Sequence, residues 1–351
     1  YDRIYRFVQT QYYATGPLTT DCMPGPLAAD AVNDFPELET AFRFYEVSAA
    51  VAHGDKRFIE EITTADSSIF MVFDFETLYG TLDDALKEPS TAVVTAYAAK
   101  KIFDREDVVG ETIRVNNETD FRITAVIDKP PRNSSFRNDI YIPFDYLEQA
   151  GYNLDRYGWN TYYIYALCNE GIDLKKFNEK FRYYFRQARN DEEITTELFL
   201  FPMAKERLYD YKGNPAAIKN IYTFGIIAVF ILLIACINFM NLATARAAKR
   251  SREIGLRKVV GARRSQLVQQ FFGESVLMAF ISLAFAILLV YLLLPIFNQL
   301  TGKELSFSIF SPGIIALLFG VTLLTGLLAG TYPAVFLSSF NPNRAIRSAG
   351  G

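Results

Sequence analysis

Three stretches decide most of what this chain can become. Ile221–Ala243, Ser275–Phe297 and Gly313–Leu337 are 23, 23 and 25 residues long and carry no charge. A hydrocarbon core of ~30 Å is crossed by about 20 apolar residues in a helix. One charge at mid-helix costs roughly 2.5–3.5 kcal/mol. Three buried core helices of a large soluble protein are the alternative, and three separate uncharged runs of this length argue against it. The runs predict three transmembrane helices.

The cations orient them. Between the first and second runs lie Arg246, Lys249, Arg250, Arg252, Arg257, Lys258, Arg263 and Arg264, against one acid, Glu253. Between the second and third there is Lys303 beside Glu304, and after the third come Arg344 and Arg347. Cytoplasmic loops carry the excess of Lys and Arg. The expectation is therefore a cytoplasmic Arg246–Arg264 connector, a cytoplasmic C-terminus and an extracytoplasmic region before Ile221, in a multi-pass membrane protein. The three crossings then alternate consistently. No signal peptide or apolar run opens the chain. The expectation is a fragment or processed product whose preceding transmembrane helix lay upstream of Tyr1, with a cleaved signal peptide as the other reading.

Charge divides the chain in the same place. Residues 1–215 hold 24 Lys/Arg and 36 Asp/Glu, net −12, whereas residues 216–351 hold 12 and 3, net +9. An acidic, Tyr- and Phe-rich domain (1–215) precedes a basic, Leu/Ile/Ala-rich membrane domain (216–351). In the first, Phe121–Asp128 alternates as a strand, with a turn at Asn116-Asn117 before it. Ser90–Phe103 reads as a strand running into a helix. Leu174–Ala188 reads as one helix with Phe177, Phe181 and Phe185 on a core-facing stripe. The predicted fold class is an α+β extracytoplasmic domain of one or two lobes, followed by an all-α membrane domain of three transmembrane helices.

Composition removes several function classes. The single histidine, His53, excludes any two-His motif, and three cysteines exclude a disulfide scaffold. Cys22 and Cys168 are left open as a pair in an oxidising compartment. There is no G-x-x-x-x-G-K-[ST], C-x-x-C, H-E-x-x-H or G-x-S-x-G in these residues, so no catalytic, metal or cofactor site is assigned. No interleaving of basic and aromatic residues points to nucleic acid.

The connector, residues 246–272, carries more order than a loop needs. Read as helix, Glu253 and Arg257 form an i,i+4 pair, and Ala247, Ala248, Ile254, Val259 and Val260 give an apolar face. Gly261 suits a left-handed C-cap, and Ser265 suits the N-cap of a second helix. Two readings stand on spacing alone: a topological loop attracted to anionic lipid at ~1 kcal/mol per cation, and a docking helix for a cytoplasmic protein. In the last run, Gly326 and Gly330 form a G-x-x-x-G that permits close helix packing.

The stretch SREIGLRKVVGARRSQLVQQFFGESVL resembles the signature of FtsX-like permeases, the membrane subunits of MacB-type ABC transport systems. Glu253, Ile254, Gly255, Leu256, Arg257, Lys258, Gly261, Ala262, Gln270 and Glu274 carry the match. Ala329–Pro342 resembles the final-helix signature. The first part resembles the MacB-like periplasmic core domain through Asp2–Arg6, Pro36–Glu39, Arg43-Phe44, Gly80, Leu86–Pro89, Thr95–Phe103, Pro130–Ser135 and Trp159. The resemblance implies a permease subunit of a bacterial cytoplasmic (inner) membrane that transmits ATP-driven change to its exterior domain, for export or extraction of a peptide, lipoprotein or drug.

A separate cytoplasmic ABC ATPase would then bind ATP and Mg²⁺ and dock on Arg252, Glu253, Ile254, Gly255, Leu256, Arg257, Lys258, Val260, Gly261 and Ala262. A second permease copy or homologous half is implied, a periplasmic adaptor or outer-membrane channel is allowed, and membrane lipid surrounds the helices. A membrane-anchored regulator of an extracytoplasmic enzyme, such as a cell-wall hydrolase, is the alternative. The cargo is not written in the sequence.

Overall fold

Strand alternation builds the N-terminal part. The computed structural model describes residues 2–130, 134–215, 217–249, 260, 264–301, 305 and 311–338. It divides into two compact units, 1–219 and 220–351.

Among the described residues of the first unit, eleven strands join one mixed sheet. They are β1 (Ile4–Tyr13), β2 (Gly16–Thr20), β3 (Leu38–His53), β4 (Lys56–Ala65), β5 (Thr77–Gly80), β6 (Thr91–Thr95), β7 (Thr112–Val115), β8 (Thr119–Ile127), β9 (Ile140–Pro143), β10 (Tyr163–Cys168) and β11 (Glu197–Pro202). The order is β11-β1-β10-β3-β4-β9-β6-β8-β5, with β2 on β1 and β7 between β3 and β8. The long β3–β4 hairpin therefore joins what the sequence left open as one or two lobes. Pairs β4/β9 and β6/β8 are parallel.

Six helices accompany the sheet: α1 (Leu27–Asp34), α2 (Ile69–Val72), α3 (Ala96–Phe103), α4 (Tyr146–Gln149), α5 (Leu174–Phe181) and α6 (Tyr184–Arg189). Successive side chains on a strand point to opposite faces. Tyr5 and Phe7 thus enter a cluster with Leu27, Phe177, Phe181 and Phe185, while Ile4 enters a second one with Phe42, Phe44, Phe136 and Tyr165. A third cluster lies under α3, around Ile102, Phe121 and Ile123.

The predicted strand-to-helix passage is β6–α3. Thr95 caps α3 by accepting from Ala98 N–H at 3.2 Å, and its hydroxyl donates to Asp139 at 2.7 Å. The predicted turn is the β7–β8 hairpin, with Asn116 and Asn117 at φ 53° and 60°. Gly80 sits at φ 77°, where a Cβ would meet the Thr124 carbonyl oxygen at 2.2 Å, so β5 can lie this close to β8 only with glycine.

One prediction is corrected. The single helix expected over Leu174–Ala188 is two helices, broken at Tyr183 (φ −111°, ψ 25°). The Arg182 carbonyl accepts from Leu198 N–H of β11 at 2.8 Å instead of continuing the helical ladder. The phenylalanine stripe still packs inward. Cys22 and Cys168 are free thiols, and burial pushes that of Cys168 up to about 12.

The second unit holds α7 (Ala217–Lys249) from Asn220 onward, α8 (Arg264–Thr301) and α9 (Pro312–Ser338). Each contains a window long and apolar enough to cross a membrane. The helices outrun the apolar stretches that predicted them. Ser265, expected as an N-cap, lies within α8, which begins at Arg264.

Candidate functional site

The expected docking residues Arg252, Glu253, Ile254, Gly255, Leu256, Arg257, Lys258, Gly261 and Ala262 lie outside the described residues; Val260 is described and exposed. Downstream, on α8, Gln270 donates to Glu274 at 3.0 Å, an i,i+4 pair.

Among the described residues, two buried arrangements join elements that are distant in the chain. The first is centred on Arg6. Strand alternation places this cation on the same face as Ile4, among aromatic rings. Its guanidinium lies 4.9 Å from the ring centroids of both Tyr163 and Tyr165 and 5.8 Å from that of Phe44. Burial of a charge in such a place needs partners. Asp21 Oδ2 lies 3.3 Å from Nε and Glu206 Oε1 lies 3.6 Å from Nη1.

Tyr165 donates its phenol to Glu206 at 2.7 Å, and Tyr211 donates to Asp21 at 2.9 Å. Burial alone would lower the affinity of Arg6 for its proton; Tyr165, Glu206, Tyr211 and Asp21 together outweigh it and raise that affinity. Burial raises the Glu206 carboxyl, and the Arg6 charge opposes that rise.

The consequence is topological. Arg6 belongs to β1, Tyr163 and Tyr165 to β10, and Phe44 to β3. Glu206 and Tyr211 belong to residues 203–215, between β11 and α7 in the sequence. One buried cation thus ties strands β1, β10 and β3 to residues 206 and 211. Sequence reasoning placed Arg6 within a family motif but gave it no role. The available signal was a lone cation in the apolar alternation of Ile4–Val8.

Glu46 gives a second titratable group on this sheet. Burial and then the Glu61 charge raise its carboxyl, while Asn138, which donates to Glu46 Oε1 at 2.9 Å, and the charge of Arg6 act in the opposite direction. A raised acid makes the folded state lose stability as pH climbs from the unfolded group's value through the folded one's. Glu46→Gln is therefore expected to stabilise the protein at pH 7. The gain should vanish below pH ~4.3, where both forms are neutral. Urea midpoints at the two pH values check this.

The second arrangement is the contact of α8 with α9. A Cβ on Gly326 would stand 2.8 Å from Val276 Cα, and one on Gly330 would stand 3.1 Å from Phe272 Cδ1 and from Ser275 Cβ. Ser275, Thr322 and Ala329 are buried in the same region. Small residues let the backbones approach, so dispersion contacts form along the whole crossing. Between these helices and Leu232, Cys236 and Phe239 of α7 lies a mostly apolar cavity of about 390 Å³. Gly326→Leu is expected to force the helices apart at a cost of about 1–3 kcal/mol, with Gly326→Ala smaller in the same direction; thermal unfolding in nanodiscs measures both.

Comparison with known proteins follows the same division. Residues 2–184 match the family model of the MacB-like periplasmic core domain, and residues 225–342 match that of the FtsX-like permease C-terminal region. A macrolide export ATP-binding/permease protein, MacB, of Shewanella sp. is 25% identical over 325 residues, covering 91% of this chain and 48% of that protein. An uncharacterized ABC transporter permease, YknZ, of Bacillus subtilis is 26% identical over 268 residues, covering 76% of this chain and 63% of that one.

The chain thus spans about half to two thirds of the length of these relatives. A solved domain of a Porphyromonas gingivalis protein described as a permease superposes with a TM-score of 0.51 at 21% identity, over 57% of this chain and 90% of that one, a likeness of fold. With its two halves matched in order by these two family models, the chain belongs to the FtsX-like, MacB-type permeases of ABC transporters.

Proposed function

We propose that the chain is a permease subunit that carries mechanical change between a separate cytoplasmic ATPase and its own exterior domain. The family assignment supports the ATPase partnership, as does the relative whose name joins ATP-binding to permease. The observation that carries the transmission reading is the Arg6 cluster. Movement of α7 along or about its axis would pull on residues 203–215, and the buried ion pairs pass that pull to β1, β10 and β3.

The residues Arg252–Ala262 are the proposed docking element, on the cytoplasmic side, with residues 1–215 on the other. ATP and Mg²⁺ would belong to the partner. Work is coupled only if the nucleotide-bound partner prefers one permease conformation over another. Export of a cargo is preferred to regulation of an exterior enzyme because the relative named for an activity is an exporter. The test is co-purification of the full-length protein from its native membrane: an ABC ATPase in stoichiometric amount is expected, and its absence would contradict the reading.

A further inference from the structure

Several arginines of the first unit face carboxylates. Arg3, Arg6, Arg43, Arg105, Arg114 and Arg122 each reach an Asp or Glu within 4 Å. Arg156 and Arg189 are among those with no ion-pair partner among the described residues, in a domain whose net charge is −12, and they differ from the others in sharing a cavity with an exposed aromatic ring. Both line one open cavity of about 390 Å³, together with Tyr157, Gly158 and Trp159.

The walls are held from behind. Tyr157 donates its phenol to Asp30 of α1 and packs edge-on against Phe185 of α6, with centroids 5.9 Å apart. Trp159 N–H closes a turn on the Arg156 carbonyl at 3.1 Å. Arg189 is the last residue of α6, whose Tyr184 and Phe185 are buried. Trp159 nonetheless leaves 45% of its surface exposed. Two cations thus line one cavity without an ion-pair partner among the described residues, and a large aromatic ring that lines it with them is left uncovered.

We infer that this cavity is a binding site for a small organic oxyanion, a carboxylate or phosphate carried on a flat or apolar group. The two guanidiniums supply charge-assisted, potentially bidentate hydrogen bonds. Trp159 and Tyr157 supply a stacking surface. The volume lies at the small end of the range for small-molecule sites, about 300–1,000 Å³. The inference stands apart from the transport reading, since it rests on residues 156–159 and 189 alone.

Trp159 is the sole tryptophan of the chain, so its fluorescence reports this cavity and no other place. The full chain in nanodiscs is titrated with benzoate, phenyl phosphate and the neutral benzyl alcohol, at low and high salt. Saturable change with at least one of the two anions is expected, weakened by salt. The double variant Arg156→Met, Arg189→Met should bind about tenfold or more weakly, and benzyl alcohol should give no comparable response. Benzoate against phenyl phosphate decides between carboxylate and phosphate. If fluorescence does not respond, calorimetric titration of the same two anions decides. Binding of neither anion, equal binding of benzyl alcohol, or undiminished binding by the double variant would overturn the inference.

Discussion

Arg6→Ala is expected to destabilise the exterior domain by about 3 kcal/mol, the low end of the ~3–5 kcal/mol range for removing one partner of a buried ion pair. The low end applies because Asp21 keeps 21% of its side chain exposed and can be rehydrated, whereas Glu206 keeps 12%. Three ring contacts are lost together with the charge. Arg6→Met separates the two contributions, since it keeps an unbranched chain against the rings and leaves the carboxylates unpaired. Combining Arg6→Met with Glu206→Gln should cost less than the two single changes added together, because position 206 then no longer holds a buried charge without its partner, although Asp21 still does. Denaturant unfolding of the full chain in nanodiscs, followed in the near-ultraviolet through the Phe44–Tyr165 stack, measures all of these. Additive costs would mean that Arg6 and Glu206 do not act on each other.

Gly255→Trp, or charge reversal by Glu253→Arg, is expected to lower permease-dependent stimulation of the partner ATPase by about tenfold or more, equivalent to roughly 1.4 kcal/mol of lost differential binding. The bulky indole blocks close approach at the proposed docking element, and the reversal sets like charges at positions 253 and 257. Folding of the exterior domain should be untouched by either change. Stimulation unaltered in both variants would remove Arg252–Ala262 from the coupling role.

How much of this was legible in the sequence depends on the length scale of each interaction. The membrane helices were visible because hydrocarbon imposes a continuous requirement on some 20 residues at once. Their ends were not: α8 begins at Arg264, eleven residues before the apolar run, because helix propensity continues where hydropathy stops. The β6–α3 passage and the Asn116-Asn117 turn were legible because Thr95 and the two asparagines act on backbone within a few residues of themselves. The break at Tyr183 was hidden because its cause, the Leu198 N–H, comes from a strand 15 residues further along the chain.

The Arg6 cluster gathers residues 6, 21, 44, 163, 165, 206 and 211, and no local pattern encodes that assembly. Gly326 and Gly330 were visible as a motif; their opposite surface, Phe272, Ser275 and Val276, was not.

The account rests on the acidic unit and the Arg246–Arg264 stretch lying on opposite sides of one bilayer. In a Cys22→Ser background, Thr81→Cys and Ser251→Cys are introduced singly, and intact cells are treated with a membrane-impermeant maleimide before and after permeabilisation. The account predicts that residue 81 is labelled from outside and residue 251 only after permeabilisation. Labelling of both positions from the same side would contradict it.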